Sequence, residues 1–143
     1  VIFAIAAMII GNIFSTPREN ATRATNKFIE AVLDNNISSV RQLVSPTVVV
    51  VDDLGGKLQD KISGVVEGVT YLHKQFPPTS NTILRLEVFE REHDALVEVS
   101  MMTRITGIGS VPHRWRLIVR PNAEEVWQIT TIDVVEVAFR SYR

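Results

Sequence analysis

The chain of 143 residues contains no cysteine, which excludes disulfide staples, thiolate nucleophiles and cysteine-built zinc sites together. It also lacks an apolar run of the roughly 20 residues that a bilayer-spanning helix needs, so no stable membrane span is expected. Neither sign of charge dominates: 15 Lys and Arg against 16 Asp and Glu leave a formal net charge of −1. These charges are mixed along the chain, without the basic footprint that phosphate backbones require, and no nucleic-acid partner is expected. Phosphate and metal motifs are missing as well. Gly107-Ile108-Gly109 joins two strand-like runs rather than a strand and a helix. Asp52-Asp53 has no neighbouring His and none of the further oxygen ligands of a calcium loop, so it reads as a solvated turn. Nothing in the sequence calls for a cofactor or a metal.

The longest apolar run, Val1 to Ile10, stops at Gly11-Asn12. Its length fits the apolar core of a secretory signal peptide, with the small residue Ser15 where cleavage could fall. On that reading residues 1–15 are a truncated signal peptide, residues 16–143 form a single domain, and the protein is secreted or extracellular; a signal anchor or a hydrophobic strand is the alternative. Two sequons, Asn20-Ala21-Thr22 and Asn36-Ile37-Ser38, make Asn20 and Asn36 glycosylation candidates if they are exposed. A domain of this size buries a core without staples.

Thr16-Pro17-Arg18-Glu19 combines an N-cap Thr, a Pro at the first helical position and a Glu three residues after the Thr. The spacing of Ala21, Ala24, Phe28 and Val32 predicts an amphipathic helix ending near Asn35. Asn36 caps a short second helix that Pro46 stops. Thr47 to Val51 is β-branched and reads as a strand, Lys57 to Val66 as a weak strand or loop, and Val69 to Phe76 after Gly68 as a helix closed by Pro77-Pro78. From Thr82 onward the period becomes two: Ile83–Glu90, Asp94–Ile105, His113–Arg120 and Glu125–Val135 form a four-strand meander whose last two strands are a hairpin. Helices first and strands after argue for an α+β fold.

This order resembles the nuclear transport factor 2-like superfamily from about Thr16 to Val137. Trp127 and Ile129 match its aromatic and aliphatic pair on the final strand, and Gly68 its glycine opening the third helix. The resemblance implies N-terminal helices packed in the concave face of a strongly curved, mainly antiparallel sheet, a cone with a central cavity. Its members include isomerases, dehydratases, epoxide hydrolases and non-enzymatic binding domains, and no catalytic signature of an enzymatic branch is present here.

Alternation on the closing hairpin puts His113, Trp115, Leu117 and Val119 on one face, with Trp127, Ile129, Thr131, Asp133 and Val135 beside them. An odd-numbered turn such as Asn122-Ala123-Glu124 then sets His113 opposite Asp133. In the cavity such a pair could act as a general base, Asp133 fixing the tautomer of His113; alternatively both are structural or solvated. Tyr71, Trp115, Trp127 and Thr131 are candidate ligand contacts, with plain packing the competing account of Tyr71. His73 cannot share a face with Tyr71, and His93 falls in a turn. The opposite sheet face is expected to carry Arg114, Arg116, Ile118 and Arg120, then Val126, Gln128, Thr130, Ile132 and Val134, extended by Leu96, Glu98, Met102 and Arg104. Arginine among aliphatics suits a homodimer interface. The sequence therefore favours a secreted, non-enzymatic domain binding a small apolar ligand or a protein partner, with a cofactor-independent lyase or isomerase using His113 and Asp133 as the alternative.

Overall fold

The computed structural model describes residues 15–52, 57–59 and 61–137. Residues 1–14, nearly all of the segment read as a signal peptide, lie outside them, as does Asp53 of the acidic turn. Helix α1 (Pro17–Leu33) starts as its sequence dictates: the Thr16 hydroxyl accepts from the Glu19 N–H at 3.1 Å, and Pro17 occupies the first turn. It ends in a left-handed residue, Asn35 at φ 54, with the Asn36 N–H donating to Ala31 O at 2.8 Å and the Asn35 N–H to Val32 O at 3.3 Å. These are the paired bonds of a Schellman ending. Asn36 then caps helix α2 (Ile37–Leu43), its side-chain oxygen accepting from the Ser39 N–H at 3.2 Å. One residue thus closes one helix and opens the next.

The remaining elements are β1 (Val44–Asp52), β2 (Lys57–Gln59), α3 (Ile62–Gln75), β3 (Pro78–Glu90), β4 (Ala95–Ile105), β5 (Gly109–Pro121) and β6 (Trp127–Val137). They form one sheet of order β2-β1-β6-β5-β4-β3. All pairings are antiparallel except β1 with β6, which run parallel. Helix α1 contacts β3, β4, β5 and β6, so four strands wrap a single helix, and the α+β architecture is as expected. Between them lies the core: Ala21, Ala24 and Ala31 of α1 pack with Val97, Leu117, Val119, Ile129 and Ile132 of the sheet. Small residues on α1 let it sit close against the strands. No described helix is long and apolar enough to cross a membrane.

Several boundaries differ from the sequence reading. Gly68 does not open α3; the helix begins at Ile62, and Lys61 at its N-cap makes no side-chain capping bond. Lys57–Gln59 is a short strand, but Ile62 to Val66 is helical rather than loop. Strand β1 takes in Pro46, which is tolerated because the β1–β6 register is interrupted between Val44 and Val49. Strand β3 reaches back to Pro78, with Leu84 left over where the register shifts between Ile83 and Arg85. A Cβ added at exposed Gly68 meets nothing within 4 Å, and the helix loses only backbone freedom that alanine would remove. Gly68→Ala is expected to raise stability by about 0.5–1 kcal/mol, read as a higher denaturant midpoint at unchanged slope. Thr25, wholly buried on α1, has a hydroxyl with no partner among the described residues. Thr25→Val is expected to stabilise by roughly 1 kcal/mol, read by the same denaturant titration.

Candidate functional site

The inner face of the sheet is set by strand register. Opposite one another lie Ala95 and Val119, Val97 and Leu117, Val99 and Trp115, Met101 and His113, and Thr103 and Val111. Most of these are buried. Toward the His113 end this apolar surface gives way to polar side chains from three strands: Asn81 of β3, Thr103 of β4, and His113 with Trp115 of β5.

They form a chain with a direction. The Trp115 indole N–H donates to His113 Nδ1 at 2.5 Å. An indole N–H can only donate, so Nδ1 must offer its lone pair and the proton of the neutral ring sits on Nε2. Nε2–H then donates to the Thr103 hydroxyl at 2.6 Å, which donates in turn to Asn81 Oδ1 at 2.6 Å. Finally Asn81 Nδ2 donates to Met101 Sδ at 3.3 Å. Burial holds the His113 pKa below its ordinary value, and protonation would also turn Nδ1 into a donor facing the indole donor. Both ring nitrogens are thus engaged, and the one lone pair of the neutral ring, on Nδ1, is directed at the indole rather than at a substrate.

The expected meeting of His113 and Asp133 does not occur. Strand β6 carries one extra residue between the partners of Ile118 and Val119, and another between those of Arg114 and Trp115. Thr130 and Val135 are the residues left over. After the first bulge Asp133 lies opposite Arg116, and after the second His113 lies opposite Val137. Asp133 therefore falls on the outer face, its carboxylate 3.5 Å from the Arg116 guanidinium. Thr131, opposite Ile118, moves to the outer face by the same shift, while Ile132 and Val134 move inward, opposite Leu117 and Trp115. Trp115 and Trp127 remain inside, packed against the core. Tyr71 is 60% exposed, edge-on to Phe76, and joins neither core nor inner face.

The outer face carries a charge ladder. Arg116 stands between Glu98 at 3.4 Å and Asp133, and Arg114 meets Glu136 at 3.2 Å. Beside it runs one cross-strand row of Phe89, Leu96, Ile118 and Thr131. A small cleft of about 70 Å³ opens between Glu98, Arg114, Trp115, Arg116 and Val135. His73 is positional: its Nε2 lies 2.6 Å from Val32 O and ties α3 to the last turn of α1. Of the sequon residues, exposed Asn36 stands at a helix cap, whereas Asn20 lies within α1 and accepts from Ser15 Oγ at 2.9 Å.

Sequence reading missed Asn81 and Thr103. The signal available was parity: counting back through the turn at Gly107 pairs Thr103 with Val111 and Met101 with His113. Asn81 gave none, because its place depends on the irregular β3–β4 register.

No family model matches the chain, and no curated protein matches it in sequence. In three dimensions it is similar to an NTF2-like protein from Cytophaga hutchinsonii, with TM-score 0.70, 9% identity and coverage of 85% of this chain and 98% of that one. A putative ketosteroid isomerase from Shewanella frigidimarina gives TM-score 0.68 at 16% identity, covering 80% and 93%. A protein of unknown function with a cystatin-like fold from Nostoc punctiforme gives 0.64 at 7%, covering 81% and 87%. The chain has the nuclear transport factor 2-like, cystatin-like fold implied by its element order.

Because the folded pKa of His113 is lowered, the unfolded chain binds a proton first as the pH falls. The stability linked to this residue is therefore fully present above about pH 6.5 and is lost below it. Between pH 7.5 and 5 the stability of the native protein is expected to fall more steeply than that of His113→Gln, the difference approaching one proton at most, as measured by denaturant titration across that range.

Proposed function

We propose that this is a non-enzymatic domain that holds a small apolar ligand against the inner face of its sheet. The observation that carries this reading is the double engagement of His113: with Trp115 on Nδ1 and Thr103 on Nε2, the imidazole serves structure and recognition rather than proton transfer. Asp133 is spent on Arg116 outside. Around the core, Phe28, Val32, Leu43, Leu86, Trp115 and Trp127 are only partly buried, and partly covered apolar side chains with a few convergent polar groups are the composition of a ligand site. The similarity to a putative ketosteroid isomerase is a likeness of fold, which hosts many functions. Export from the cell fits the apolar run Val1 to Ile10 and the exposed sequon at Asn36.

A second reading, pairing of two copies through the outer face, is favoured by the row Phe89, Leu96 and Ile118, of which Phe89 is 46% exposed. Loss of Ile132 and Val134 to the inner rows leaves that face less apolar than its sequence suggested, and Arg114 and Arg116 already have carboxylate partners within the sheet.

Titration with the uncharged fluorescent probe N-phenyl-1-naphthylamine is expected to give a saturable signal in the micromolar range, weakened about fivefold or more in Trp115→Ala. A non-saturable or absent signal, together with a monomer in sedimentation equilibrium, would remove both readings. Dimerisation abolished by Ile118→Glu with probe binding intact would assign the outer face separately.

A further inference from the structure

The polar chain on the inner face runs one way and ends badly. Each of its first three donors has a good acceptor: imidazole nitrogen, hydroxyl, amide oxygen. The last donor, Asn81 Nδ2, faces the thioether of Met101, a weak acceptor. Flipping the amide is no remedy, since Oδ1 is fixed by the Thr103 hydroxyl at 2.6 Å. Asn81 is half-buried, and Ile83, in the same inner row of β3, is 40% exposed. An N–H donor is therefore held in place, beside accessible apolar surface, with a partner that a better acceptor would displace.

We propose, resting on the binding reading above, that Asn81 Nδ2 is the polar anchor of the site and that the ligand is an apolar molecule carrying an uncharged acceptor oxygen, such as a ketone or ester carbonyl. The direction of the chain selects the acceptor: Trp115, His113 and Thr103 each donate onward toward Asn81, so what the chain presents at its end is an N–H. Charge selects neutrality. The described inner-row side chains of β3 to β6 include no Lys or Arg, and His113 is held in its neutral form, so a carboxylate would be desolvated without a counter-charge.

The test compares three probes by equilibrium dialysis at pH 7.5: 2-acetylnaphthalene, 2-ethylnaphthalene, which lacks the oxygen, and 2-naphthoate, which carries a charge. The native protein is expected to bind the ketone about five- to tenfold more tightly than the hydrocarbon, the range of one hydrogen bond to a neutral acceptor, and more tightly than the carboxylate. Asn81→Asp, which keeps the acceptor for Thr103 and removes the donor, and Asn81→Leu are each expected to abolish the ketone preference, the ratio of ketone to hydrocarbon affinity falling to about one. In the native protein the Asn81 side-chain amide resonances should move on addition of the ketone and not of the hydrocarbon. Equal binding of ketone and hydrocarbon, tightest binding of the carboxylate, or a ketone preference that survives in both variants would overturn the assignment of Asn81 while leaving the apolar site standing. Binding of none of the three probes would overturn that reading and this one together.

Discussion

Two extra residues in β6, Thr130 and Val135, decide which side chains meet inside the sheet. A strand alternates its side chains strictly, so each added residue reverses every assignment beyond it. Trp127 and Ile129 face inward before the first bulge, Ile132 and Val134 after it, and Val137 after the second. The alternative, unbroken alternation from Trp127, would set Asp133 in an apolar row and turn Ile132 to solvent. Leaving a carboxylate there without a cation costs several kcal/mol by general burial energetics, whereas on the outer face it finds Arg116. The bulges are therefore the arrangement in which both the aliphatic and the charged residues of β6 have fitting surroundings.

Which parts of this were legible follows from where each signal resides. Helix α1 was readable at both ends because its caps are local, with Thr16, Pro17 and Glu19 at one end and Asn35-Asn36 at the other. Strand β5 alternates without interruption, so Trp115, Leu117 and Val119 were placed correctly from sequence. Strand β6 misled because Thr-Thr-Ile suits a strand in either register and no glycine marks the bulge. The start of α3 was hidden for the opposite reason: Lys61 offers no capping group, and Gly64 and Gly68 lower the helix signal that Val65, Val66 and Val69 already carry weakly. The candidate site was legible only in part, since Asn81, Thr103 and His113 come from three strands and their meeting depends on two registers.

The inner polar chain and the outer charge ladder treat polarity differently. Inside, four neutral groups are ordered so that every donor but the last finds a strong acceptor, and neutrality avoids the desolvation of ions. Outside, Glu98, Arg116 and Asp133 remain partly hydrated, where such pairs contribute little to stability. Their role there is register: Arg116 reaching a carboxylate on each neighbouring strand is compatible with one alignment of β4, β5 and β6, the alignment that also aims His113 at Thr103.

The parallel seam between β1 and β6 bears on how the molecule is made. Residues 49–52 lie against residues 131–134, a sequence separation of most of the chain, and β2 is held to the sheet only through β1. Closing so long a loop is slow compared with forming the local β3–β4–β5 meander. During synthesis β1 and β2 therefore wait, with the β-branched run Val48 to Val51 uncovered, until the last strand has left the ribosome. Such a strand is prone to self-association while exposed, which makes the 11 residues of β6 the ones that protect the earliest strand from aggregation.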